Sequence, residues 1–86
     1  MDINKLIAIV KEKLEKNIII ETIKIEDKSY LHKKHPGNQK GKFHLKIIIQ
    51  SNELSNLNRI IGNKKIYKIL ENEMKKYIHS LQISIL

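Results

Sequence analysis

Apolar residues recur along this chain with two different periods, and each change of period marks an element. Ile3, Leu6, Ile7, Val10 and Leu14 fall at helical spacing and make one stripe. Asp2 stands just before them, where a carboxylate accepts from the free amides of a first turn. The spacing predicts an amphipathic helix over residues 3–16, with Lys5, Lys11, Glu12, Lys13 and Glu15 in solvent. Residues 18–26 open with three isoleucines and continue Glu21-Thr22-Ile23-Lys24-Ile25-Glu26. Their β-branched content and period of two predict a strand near 19–26. Phe43, Leu45, Ile47 and Ile49 then alternate with His44, Lys46 and Gln50, which predicts a second strand over 43–50, with Ile48 breaking the pattern.

The C-terminal half changes period again. Residues 53–61 read as a short helix or helical turn, broken by Gly62-Asn63. A longer helix is predicted from Lys64 to Tyr77, with Ile66, Ile69, Leu70, Met74 and Tyr77 as its apolar face. Residues 81–86 alternate as a third strand that starts just after His79. Between the first two strands, residues 27–42 hold the only proline, two of the three glycines, several lysines, His32 and His35. They predict a long loop, and residues 28–42 are expected to be the most mobile internal segment.

The element order is therefore αββααβ. The first two strands should pair antiparallel, and the third, returning after helices, should lie parallel to a neighbour through a right-handed crossover. The expected fold is one α+β domain over residues 1–86, a three-stranded mixed sheet with helices on one face. The order is that of the type II KH arrangement, without its Gly-x-x-Gly clamp for RNA backbone. The two C-terminal helices would form a helix–turn–helix-like pair around Gly62.

Composition narrows the chemistry. With 86 residues and no cysteine, the core rests on aliphatic packing, isoleucine above all. The lack of cysteine fits a reducing compartment. Met1 to Val10 lacks the uninterrupted apolar core of a secretory signal, and no apolar run nears the roughly 20 residues of a membrane span. The expectation is a cytoplasmic protein with no membrane partner, monomeric when alone. The formal net charge of +8 attracts polyanions and acidic partners without choosing among them.

Three stretches together resemble the BolA family. Asp27-Lys28-Ser29-Tyr30-Leu31-His32 is similar to that family's Asp-Glu-Ser-x-x-His. His44-Leu45-Lys46-Ile47-Ile48-Ile49-Gln50-Ser51 resembles its His-Phe-Lys-Val-Val-x-Val-Ser strand. Ile66-Tyr67-x-x-Leu70, followed by Ile78-His79-Ser80-Leu81, resembles its Val-Tyr-x-x-Leu and Val-His-Ala-Leu. The family's Arg-His-Arg between the helices is replaced by Gly62-Asn63-Lys64, so that basic cluster is absent. The loop between His32 and His44 is also longer than the family norm.

The resemblance implies an adaptor that pairs with a monothiol glutaredoxin and shares a bridging 2Fe–2S cluster, in iron–sulfur trafficking or redox regulation. On this side the family's ligands map onto His79 and His32, with His35 on the same loop as a substitute for His32. Neutral imidazole suits iron, and replacing thiolate by histidine raises a cluster's potential. Without cysteine, the chain needs a partner to supply thiolates, which the glutaredoxin does with its own cysteine and glutathione. Alone, the chain is expected to hold no cofactor. His44 belongs to the polar face of its strand, with a structural or interface role.

The second reading is a DNA-binding transcriptional regulator that uses the helical pair. Arg59, Lys64, Lys65 and Lys68 would contact phosphates, and the binding would be weak and salt-sensitive. The other reading of these basic residues is a solvated face. An enzyme is not expected: there is no cysteine nucleophile, and Glu26-Asp27, the one adjacent acidic pair, reads as the end of a strand.

Overall fold

The computed structural model describes residues 1–29 and 42–86. The expected loop mobility, and the placement of His32 and His35, lie outside the described residues.

Helix α1 spans Ile3–Asn17, and Asp2 caps it: its Oδ1 accepts from the Lys5 amide at 2.9 Å. The stripe is buried where the period places it, at Leu6, Val10 and Leu14. Strand β1, Thr22–Asp27, begins later than the isoleucine run suggests. Ile18 still serves α1, its amide bonded to the Leu14 carbonyl, and its side chain fills the core. Ile19 is 75% exposed, and side chains satisfy its backbone: Ser51 Oγ donates to its carbonyl at 2.7 Å, and Glu53 Oε1 accepts from its amide at 3.2 Å. With those groups taken by side chains, the ladder cannot begin at Ile19.

Strand β2, Phe43–Gln50, is the central strand, with β1 antiparallel on one side and β3, Ile78–Ile85, parallel on the other. Ile25, Ile47 and Ile83 face one another across the sheet, as do Ile23, Ile49 and Ile85. The residues between them, among them Lys24, Lys46, Gln82 and Ser84, line the opposite, polar face. Leu45, Ile47 and Ile49 join the buried residues of the helices in a single core. This is the expected α+β architecture, a three-stranded mixed sheet with helices.

The helical half differs from the sequence reading at two places. Helix α2 is one turn, Asn52–Ser55, capped by Ser51, whose Oγ accepts from the Leu54 amide. Helix α3 starts at Arg59, capped by Asn58 Oδ1 on the Ile61 amide at 2.9 Å, and runs unbroken through Gly62 to Ile69. Gly62 does not break the helix. Its amide bonds to the Asn58 carbonyl at 2.9 Å, and it is buried where α3 passes close to β3. The turn between α2 and α3 is Asn56-Leu57-Asn58 instead, so a helix–turn–helix-like pair would centre there and not on Gly62. The irregularity falls at Leu70, between α3 and α4, Glu71–Lys76. Bonds from Leu70 back to Ile66 and from Met74 back to Leu70 carry the helix across it.

Candidate functional site

The signature residues are mostly used inside the fold. Asp27 Oδ1 accepts from the Ser29 amide at 3.0 Å, which turns the chain as β1 ends. Ser29 Oγ then accepts from the His44 amide at 3.1 Å, and the Lys28 amide donates to the His44 carbonyl at 2.7 Å. The Asp-x-Ser motif thus extends the β1–β2 ladder beyond its last paired residues. Ile66 and Leu70 are fully buried, and Tyr67 Oη donates to the Leu81 carbonyl at 2.9 Å, tying α3 to β3.

His79 is different. Between the pairs Phe43–Ile78 and His44–Ser80, β2 advances one residue while β3 advances two. His79 is the extra residue of a β-bulge, within β3 rather than before it, and its side chain is exposed. The bulge has a packing reason. Ile78 and Leu81 are both buried although three apart, and a regular strand would put them on opposite faces. Inserting one residue restores both to the core and leaves His79 outside. A break in the period of two between Ile78 and Leu81 was the sequence signal for this.

The His79 ring lies edge-on to the ring of His44, with centroids 5.0 Å apart and planes at 68°. His44 stands on the polar face of β2 and is nevertheless buried, at 5% exposure. Its Nδ1 is 2.6 Å from Ser80 Oγ, its partner across the strands.

The donor set can be weighed against a shared iron–sulfur cluster. The described residues bring one exposed imidazole, and the sequence has no thiolate to add. Among the described residues no group of three or more His, Cys, Asp or Glu side chains could hold a metal. Such a set fits a group shared with a thiolate-bearing partner. The described donors by themselves do not make up a complete ligand set.

The basic candidates separate. Arg59, Lys64 and Lys68 are exposed on α3. Lys65 is half-buried and its ammonium pairs with Glu53. Ile60 and Ile61, 68% and 50% exposed, lie beside them, and sequence reading gave them no part. No described helix is long and apolar enough to cross a membrane.

Comparison with known proteins places these features in a family. Over 75 residues the chain is 28% identical to the DNA-binding transcriptional regulator BolA of Haemophilus influenzae, covering 87% of this chain and 70% of that protein. It is 29% identical over 79 residues to SufE-like protein 1 of Arabidopsis thaliana, covering 86% of this chain but only 21% of that longer protein. Among solved structures, the BolA domain of SufE1 from Arabidopsis thaliana superposes with a TM-score of 0.76 at 28% identity, covering 91% of this chain and 86% of that one. The family model described as BolA-like protein matches residues 14–86. The chain belongs to the BolA family.

Proposed function

We propose that this protein is a BolA-like adaptor that pairs with a monothiol glutaredoxin in iron–sulfur trafficking or redox regulation, with His79 as its ligand to a shared 2Fe–2S cluster. The observation that carries the reading is the position of His79. Among the described residues, Asp27, Ser29, Ser51, Ile66, Tyr67 and Leu70 of the signature cap turns, extend ladders, tie elements together or fill the core, whereas this imidazole is set outside by a bulge, a device that re-aims side chains. A second ligand from the 30–41 segment, His32 or in its stead His35, completes the chain's share. A cluster bound this way carries one-electron chemistry at a potential raised by imidazole ligation. The chain's own part is to present the imidazole and a docking surface, with no catalytic residue. The test is anaerobic reconstitution of the full chain with a monothiol glutaredoxin, followed by visible absorption and circular dichroism. A co-purifying pair whose cluster spectrum differs from that of the glutaredoxin alone is expected, and two proteins that elute separately would refute the pairing.

The second reading, DNA binding, draws on the name of the Haemophilus relative and on exposed Arg59, Lys64 and Lys68 along α3. With Lys65 engaged by Glu53 and no basic cluster at Gly62-Asn63, three phosphate contacts remain there, which favours weak, salt-sensitive binding.

A further inference from the structure

We propose that His44 is a positioning residue for His79, with Ser80 as the brace that holds it. This inference rests on the reading of His79 as a ligand and adds what fixes the direction of its ring.

The alternation of β2 puts His44 on the polar face, where Lys46 and Ile48 beyond it are only half-buried. Its burial at 5% exposure therefore needs a reason, because burying an imidazole without bonding its nitrogens is costly. One bond is the 2.6 Å contact of Nδ1 with Ser80 Oγ. Ser80 directly follows the bulged residue and is the cross-strand partner of His44. The bulge is thus pinned on its C-terminal side to the same side chain whose ring meets His79.

The base of that ring is itself fixed. The His44 amide donates to Ser29 Oγ and its carbonyl accepts from the Lys28 amide, so β1 holds its backbone on one edge while β3 holds its ring on the other. An exposed histidine on a bulge otherwise samples several staggered rotamers. An edge-on aromatic contact such as that at 5.0 Å and 68° biases them by roughly two- to tenfold. Bias of this kind matters for a shared ligand, since changing an outer residue that orients a metal-binding imidazole typically costs about 10–100-fold in metal affinity.

The test uses the full chain, first alone and then with the glutaredoxin. On the isolated protein at one fixed pH, imidazole carbon–proton and long-range nitrogen–proton NMR spectra follow the His79 ring in His44→Ala, Ser80→Ala and Ser80→Thr. In the first two variants the His79 signals are expected to shift and its ring contacts to average over rotamers. Ser80→Thr, which keeps the hydroxyl, should restore them. Should His44→Ala fail to fold, Ser80→Ala carries the same test from the half-buried end of the bond. In the complex, Ser80→Ala is expected to shorten the cluster lifetime about tenfold, and Ser80→Thr to retain it. Unchanged His79 ring spectra in Ser80→Ala overturn the proposal. So does a normal lifetime in Ser80→Ala where His79→Ala shortens it. If His79→Ala itself changes nothing, the ligand reading fails, and the ring spectra of the isolated chain alone decide whether His44 orients His79.

Discussion

The ammonium of Lys13 on α1 grips both carboxylate oxygens of Glu73 on α4, at 2.9 and 2.8 Å. The Glu73 side chain is 6% exposed and that of Lys13 39%, so the carboxylate is buried and depends on this one cation for its ion pair among the described residues. Removing the cation leaves a buried carboxylate without this ion pair. Lys13→Met should therefore cost about 2 kcal/mol, less than for a fully buried pair because Lys13 is partly in water. The double change Lys13→Met with Glu73→Leu should recover most of that loss, since an apolar pair needs no desolvated charge. Urea denaturation of the three proteins checks it; equal stability of wild type and Lys13→Met would contradict it.

Gly62 gives a second, opposite expectation. A Cβ at this position would lie 3.0 Å from Ile85 Cδ1, the tip of a flexible and half-buried side chain. Alanine in a helix interior is favoured over glycine by about 1 kcal/mol, which a small rotation of the Ile85 tip offsets in part. Gly62→Ala should thus stay within about 0.5 kcal/mol of wild type, whereas Gly62→Leu should lose about 1–3 kcal/mol through overpacking. Thermal unfolding of both variants separates a packing role from a helix-breaking one. A large loss in Gly62→Ala would contradict the account.

Stability should also fall in acid through Glu53. Its hydrogen bond from Lys65, then that from the Ile19 amide, hold its carboxyl below the ordinary carboxylate range. A pKa depressed in the folded state gives stability that is present above the unfolded value and lost as pH falls through the folded one. The Tm of wild type should therefore exceed that of Glu53→Gln at neutral pH, and the gap should close below the ordinary carboxylate range. A gap constant from neutral pH into strong acid would show that the ionised carboxylate is not its cause.

On duplex DNA, affinity should be low, indifferent to sequence and steeply dependent on salt. Arg59→Ala, Lys64→Ala and Lys68→Ala should each lower the salt slope by about 1, as loss of one phosphate contact does. Lys65→Ala should leave the slope nearly unchanged, because its ammonium already serves Glu53. Fluorescence anisotropy over a salt series measures all four. Tight binding to one operator that persists at moderate salt would reverse the ranking of the two functional readings.

What the sequence made legible was whatever repeats with a period. The stripe Leu6, Val10 and Leu14 and the alternation Leu45, Ile47 and Ile49 predicted α1 and β2 to within a residue. Single-residue events set by distant partners were not legible. Ile18 to Ile20 have strand composition, yet Ser51 and Glu53, over 30 residues away, take the Ile19 backbone groups. Gly62 has the composition of a break, yet it serves a close approach to Ile85 that only the folded chain creates. At the site, His79 was found by resemblance, and the bulge that exposes it left a trace in the broken period between Ile78 and Leu81, whereas the burial of His44 beside it depends on its cross-strand neighbours, which one strand's pattern does not contain.

The central claim is that His79 reaches the shared cluster, and His79→Ala tests it most directly. Its ring is exposed on a bulge and contributes nothing to the core, which Ile78 and Leu81 supply on either side, so the variant should fold as wild type does. His32→Ala should have a milder effect than His79→Ala, with His35 on the same segment able to replace it. The measurement is the visible absorption and circular dichroism spectrum of the anaerobically reconstituted complex with a monothiol glutaredoxin, together with its cluster lifetime, for wild type and His79→Ala side by side. The account predicts an altered spectrum and a shortened lifetime, or no shared cluster at all, in His79→Ala. A wild-type spectrum with a wild-type lifetime would contradict it and reduce the pairing to a protein–protein contact.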